Sequence, residues 1–251
     1  MTIVKVTRRG WLYRLRVIAP QVVTGSRVVF GAAAVVTAAD GRLHTAAALI
    51  TLGAVTDVLD GLLARRLGVA SAFGALFDTF TDYFCFVVAP WALTRALVGA
   101  GGGLVQEALL GLPLLTGALR YARNSLLIVA RDEEVRELPG LATVFYAFLP
   151  VAAVFLDATS LVGGPRLSAS LTFLVVAFSL LMVTSVRYPK LNNFRGLSAP
   201  VLVLLVVMPF AGTRILAGVM FVAGLLYVGL APLFARRRRR RPGRDEVSTT
   251  A

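Results

Sequence analysis

The chain has 251 residues, 57% of them hydrophobic and 16% charged, with a mean hydropathy of +0.79. Soluble domains carry about 45–50% apolar and about 25% charged residues, so an ordinary water-soluble domain is excluded and a membrane protein is expected. The 26 Lys and Arg outnumber the 13 Asp and Glu and gather at both chain ends beside apolar sequence, a pattern that serves as a topology signal or meets anionic membrane lipid, not nucleic acid.

In chain order, residues 1–19 interleave Trp11, Leu12, Leu15 and Ile18 with Arg14 and Arg16. This predicts a short basic amphipathic helix on the membrane surface and differs from a signal peptide, which needs an uninterrupted apolar stretch after its charges. A span needs about 20 apolar residues. Eight segments qualify: 21–39, 43–66, 72–98, 104–130, 139–159, 167–186, 197–211 and 213–235. Gly212 separates the last two, which read as a tight hairpin or one broken segment. The fold class is therefore an all-α integral membrane protein: a six-helix transmembrane core, two C-terminal transmembrane helices and the N-terminal amphipathic helix. The single membrane domain covers 20–235, and 236–251 is a basic disordered tail. His44 is expected in a loop, and lone Cys85 offers neither a disulfide nor a zinc site.

With eight spans, both termini share a side with Arg65, Arg66, Arg131, Arg136, Arg187, Lys190 and Arg195. The opposite side holds only Arg42, Arg166 and Arg214. The positive-inside rule assigns the first side to the cytoplasm, and a cell inner membrane location is expected.

The second and third spans contain Asp57, Asp60, Asp78 and Asp82. A charge at the bilayer centre costs roughly 2.5–3.5 kcal/mol on insertion scales, so four need a water-filled cavity or a bound cation. Asp57, Asp60, Gly61, Ala64 and Arg65 share one helix face, and Gly74, Asp78 and Asp82 share another. With a turn near Gly68, an antiparallel hairpin brings all four carboxylates to similar depth, roughly 12–18 Å inward at 1.5 Å per residue. Either several are protonated or cations neutralise them. Clustered hard oxygens suit Mg²⁺, Mn²⁺ or Ca²⁺, and two such ions would clamp a phosphoryl group for in-line displacement. Gly61 and Ala64 leave room beside the backbone, and Arg65 is placed to meet a diphosphate.

The run Asp57-x2-Asp60-Gly61-x2-Ala64-Arg65-x8-Gly74-x3-Asp78-x3-Asp82 resembles the CDP-alcohol phosphatidyltransferase signature at every fixed position. The resemblance implies that the four aspartates ligate two Mg²⁺ or Mn²⁺ ions and that Asp82 also acts as the catalytic base. It implies that Gly61, Ala64, Arg65, Ser71 and Gly74 line the CDP-lipid site. Pro20-Gln21-x2-Thr24 is similar to the family's Pro-Asn-x2-Thr element, with Gln21 in place of Asn, and adds Gln21 and Thr24 to that site. A homodimer is expected.

For the acceptor, Leu119–Asn124, Leu138-Pro139-Gly140 and Leu181–Pro189 look like segments of the bacterial phosphatidylserine synthase branch. The resemblance implies CDP-diacylglycerol and serine as substrates, with CMP released. Arg120, Arg123, Arg187, Tyr188 and Lys190 suit a serine carboxylate, and equally inositol phosphate, glycerol phosphate or simple snorkelling at helix ends. Choline is a further alternative acceptor. From another class, a cation transporter also carries intramembrane carboxylates, although an internal repeat, frequent in transporters, is not visible.

Overall fold

The computed structural model describes residues 8–68, 71–99, 103–129, 137–156, 164–184 and 187–189, without the side chains of 8–17, 64, 65, 127–129, 137–139 and 187–189. The expected spans 197–211 and 213–235 and the tail 236–251 lie outside these residues.

The described fold is a helix bundle: α1 (Arg8–Ala39), α2 (Leu43–Leu67), α3 (Ala72–Tyr83), α4 (Ala89–Val98), α5 (Gly103–Val129), α6 (Thr143–Phe155) and α7 (Pro165–Val183). Four stretches are long and apolar enough to cross a membrane: Ile18–Ala39, Leu43–Leu63, Ala72–Val98 and Pro165–Val183. Helix α5 matches them in length but carries Gln106, Glu107, Arg120, Arg123 and Asn124. Of the segment 1–19, expected as a separate amphipathic helix, the described part from Arg8 runs into the first span as one element through Pro20.

The turns follow glycine chemistry. Gly41 (φ 75°) ends α1: its N–H donates to the Ala38 carbonyl at 3.0 Å, and the Arg42 N–H donates to the Thr37 carbonyl at 2.8 Å. This Schellman pattern satisfies carbonyls that the helix end leaves open. Gly68 (φ 63°) follows α2 and lets the chain reverse toward α3. Contrary to expectation, His44 lies in α2, its ring edge-on to Phe155 with centroids 6.3 Å apart. The Leu43 start follows directly from the tight Gly41 turn, leaving no loop for it.

Helix α1 packs chiefly on α2, and α5 on α7. Between α3 and α4, Phe84–Val88 widens into a π-helical turn just before Pro90. Proline lacks an N–H and crowds the carbonyl four residues back, and a π turn relieves that crowding. Three glycines converge there. A Cβ on Gly31 would stand 2.9 Å from Phe84 Cδ1, one on Gly117 would stand 2.9 Å from Val87 Cγ2, and one on Gly53 would overlap Cys85 Sγ. Such small residues let transmembrane helices approach closely, so α1, α2 and α5 grip the segment that follows Asp82. Gly53→Ala should therefore lower the thermal midpoint of the detergent-solubilised protein, at an overpacking cost of about 1–3 kcal/mol. Adding Cys85→Ala should recover part of the loss. An unchanged midpoint in Gly53→Ala contradicts this packing.

The all-helical expectation needs one amendment. Glu137–Pro139 and Arg187–Pro189 form a two-stranded antiparallel ribbon, β1 and β2, with Leu138 opposite Tyr188. The expected fifth span, 139–159, accordingly shortens to 13 described helical residues, about 20 Å at 1.5 Å per residue. Pro139 is in the ribbon, and Gly140 takes φ 84° where a Cβ would strike the Met182 carbonyl oxygen. The Leu141 N–H then donates to the Leu181 carbonyl at 3.1 Å.

Away from the α2–α3 turn, Arg95 pairs with Glu107 at 2.8 Å across α4 and α5. Gln106 Nε2 donates to Ser168 Oγ at 2.5 Å, joining α5 to α7. These polar contacts fasten the bundle at the end remote from the carboxylates.

Candidate active site

The α2–α3 hairpin brings Asp57, Asp60, Asp78 and Asp82 around a single guanidinium, that of Arg27 on α1. Arg27 Nη1 donates to Asp57 Oδ1 at 2.9 Å and also to Asp82 Oδ1. Nη2 donates to Asp60 Oδ2 at 2.5 Å and also to Asp78 Oδ1. Each nitrogen thus bridges one carboxylate from α2 and one from α3. The bridged residues are those about equally distant along the chain from Gly68, so helical rise and an antiparallel turn account for the pairing.

Thr24 joins the cluster from α1. Its hydroxyl lies 2.7 Å from Asp60 Oδ2 and 2.9 Å from the Pro20 carbonyl oxygen. Thr24 and Arg27 lie one turn apart, so both reach the hairpin from the same helix face. The centre is graded in access. The Arg27 side chain is fully buried and that of Asp60 is 7% exposed, against 38% for Asp57 and 44% for Asp78. The accessible edges of the cluster are therefore those of Asp57 and Asp78.

One positive charge among four carboxylates leaves three formal negative charges uncompensated. Burial makes uncompensated charge costly. Asp57, Asp60 and Asp78 also offer one oxygen each within 4.8 Å of one another. An all-oxygen, anionic donor set of this spacing fits a hard divalent cation such as Mg²⁺ or Mn²⁺.

The remaining expected residues divide into three groups. Ser71 is the N-cap of α3, its hydroxyl accepting from the Gly74 N–H at 3.0 Å. Capping a helix start is a use of serine that its sequence context alone explains. Gln21 is half-buried on α1 and Gly61 half-buried on α2. The side chains of Ala64, Arg65, Arg187 and Tyr188 lie outside the described set, as does Lys190 altogether.

On α5, Arg120 and Asn124 are buried. Arg120 Nε and Asn124 Oδ1 have no hydrogen-bond partner among the described residues. The Arg120 guanidinium lies 5.4 Å from the Tyr121 ring centroid. Tyr121 is tied to Thr143 by a 2.6 Å hydroxyl–hydroxyl bond and meets Tyr83 edge-on. Buried polar atoms without partners are rare and suggest a role. Arg123 adjoins Gly140, so the base of α5 meets the ribbon strand pair.

Arg27 was not among the residues expected from sequence. The signal was present: it is an arginine inside the apolar stretch Ile18–Ala39, one turn beyond Thr24. The reasoning that singled out the intramembrane aspartates applies equally to an intramembrane arginine.

A protein-family model described as CDP-alcohol phosphatidyltransferase matches residues 17–187. The CDP-diacylglycerol--serine O-phosphatidyltransferase of Helicobacter pylori strain J99 is 28% identical over 214 residues, covering 82% of this chain and 89% of the relative. The archaetidylserine synthase of Methanothermobacter thermautotrophicus is 32% identical over 164 residues, 64% of each chain. The CDP-diacylglycerol--serine O-phosphatidyltransferase of Bacillus subtilis is 28% identical over 177 residues, covering 69% of this chain and 91% of the relative.

Proposed function

We propose, since the chain belongs to the CDP-alcohol phosphatidyltransferase family, that it transfers the phosphatidyl group of CDP-diacylglycerol to serine, yielding phosphatidylserine and CMP. The observation that carries the reading is the gathering of four hairpin carboxylates at one point, open on the Asp57 and Asp78 side. Serine as acceptor is supported by the relatives' names, which share it although they differ in the lipid.

Asp57, Asp60, Asp78 and Asp82 would hold two Mg²⁺ or Mn²⁺ ions. Bound there, the metal would supply positive charge to the diphosphate and to the leaving CMP oxygen. The rest of the work falls to side chains. Thr24 orients Asp60 through its hydroxyl. Gln21 on α1, Gly61, Ala64 and Arg65 on α2, and Ser71 and Gly74 at the start of α3 would bound the CDP-lipid. The serine Oγ attacks the lipid-side phosphorus, the bond from that phosphorus to CMP breaks, and Asp82 takes the serine proton. Phosphoryl transfer asks mainly for such positioning and charge stabilisation.

Arg120 and Asn124 supply the donor and acceptor that a zwitterionic amino acid needs, Nε toward its carboxylate and Oδ1 toward its ammonium. Arg123, Arg187, Tyr188 and Lys190 would complete this acceptor region where the ribbon joins α5 to α7. The protein would sit as a homodimer in the cell inner membrane with eight spans, the basic 8–19 stretch near anionic headgroups, and the site facing the cytoplasm.

An acceptor panel tests this reading. Purified protein is given CDP-diacylglycerol, Mn²⁺ and, separately, serine, choline, inositol phosphate or glycerol phosphate. Serine-dependent phosphatidylserine is expected. Turnover with another alcohol and none with serine would keep the transfer chemistry and overturn the acceptor, whereas no turnover with any would overturn both and leave a cation transporter to be tested.

A further inference from the structure

We propose that Arg27 is a resident cation of the carboxylate cluster, competing with divalent metal for the same oxygens and yielding them when metal binds. The inference rests on the metal-dependent reading above.

Three observations support it. The guanidinium binds the same three carboxylates that could hold a metal: Nη1 donates to Asp57 Oδ1, while Nη2 donates to Asp60 Oδ2 and Asp78 Oδ1. Those three residues form the group whose oxygens lie close enough together to hold one ion. A guanidinium set among one oxygen of each of the four aspartates stands in the space between the carboxylates that an ion held by them would fill. Second, Arg27 Nε is buried and has no hydrogen-bond partner among the described residues. An arginine with a purely structural role usually has its buried donors satisfied, whereas this one is anchored only through the two terminal nitrogens that face the acids. Third, one guanidinium faces four carboxylates, so a divalent ion offsets more of the cluster's formal charge than Arg27 does.

The geometry also gives each cation its own side. Arg27 enters from α1, where its side chain is fully buried, and the exposed edges of Asp57 and Asp78 face the other way. Metal would reach the cluster without passing Arg27. Until then Arg27 holds α1, α2 and α3 together, keeping four like charges from forcing the hairpin apart.

Mn²⁺ binding to the full-length protein in detergent, without substrate, tests the competition by electron paramagnetic resonance titration. Arg27→Gln should bind Mn²⁺ at least about tenfold more tightly than the wild type, the change that about 1.4 kcal/mol produces. In EDTA its unfolding midpoint should fall below that of the wild type, and saturating Mn²⁺ should bring the two together. Arg27→Lys separates competition from through-space charge. Lysine keeps the positive charge but has one nitrogen and cannot bridge both pairs, so its Mn²⁺ affinity should lie between those of the wild type and Arg27→Gln. It also carries the test alone if Arg27→Gln does not fold. Wild-type Mn²⁺ binding with no tightening in either folded variant, or with Arg27→Lys equal to the wild type, overturns the proposal and leaves the metal reading intact. Failure of the wild type and of both folded variants to bind Mn²⁺ overturns both.

Discussion

Asp57→Asn, Asp60→Asn and Asp78→Asn should each reduce turnover of CDP-diacylglycerol by at least about 10²–10³-fold, the scale of removing one preorganised charge-stabilising group. Each change keeps the side-chain shape and removes one anionic ligand from a set whose oxygens lie within 4.8 Å of one another. The protein should remain folded. Arg27 keeps three carboxylate partners in every single variant, so no substitution strands its buried charge. Asp60→Asn should be the most disruptive structurally, because Asp60 is the least exposed of the three and also holds Thr24. Excess EDTA should abolish wild-type activity, and added Mg²⁺ or Mn²⁺ should restore it. Full activity in EDTA, or wild-type rates in the three variants, contradicts a metal-dependent site.

Asp82→Asn should cut the maximal rate by about 10²–10⁴-fold, the usual contribution of a positioned general base, with the apparent affinity for CDP-diacylglycerol largely kept. Asp82 belongs to the cluster through Arg27 Nη1. Its chain neighbour Tyr83 meets Tyr121 of α5 edge-on, which sets this stretch of α3 beside the acceptor residues proposed above. An amide cannot accept the serine proton, so the loss should appear in kcat and persist at saturating lipid and serine. A variant that needs more lipid but reaches the wild-type rate at saturation would make Asp82 a binding ligand and not the base.

Much of this centre was legible in the sequence because helical geometry is local. The spacing of Asp57 and Asp60, and of Asp78 and Asp82, puts each pair on one helix face, and Gly68 supplies the turn that pairs them. The bounds of α2, of Ala72–Val98 and of α7 likewise follow from apolar run length. The missed features all depend on partners distant in sequence. Arg27 meets acids 30 to 55 residues away, and the spacing within α1 carries no record of them. The ribbon pairs Glu137–Pro139 with Arg187–Pro189, and strands of three residues are too short to show an alternating pattern. The π turn and its three facing glycines arise from contacts among four helices. Pro90 was the only local hint. Arg120 was expected as an acceptor contact or a helix-end residue, and the spacing within 104–130 did not show that it and Asn124 would be buried.

The fate of the lipid-side phosphorus is the most direct test of the central claim, because it reports which bond breaks. CDP-diacylglycerol carrying ³²P only at the phosphorus attached to diacylglycerol is incubated with purified protein, Mn²⁺ and serine. The account predicts that the label passes into phosphatidylserine and that an equal amount of unlabelled CMP appears, both dependent on serine and on metal. Label recovered in a water-soluble nucleotide, or CMP release without labelled phosphatidylserine, would contradict transfer of the phosphatidyl group to serine.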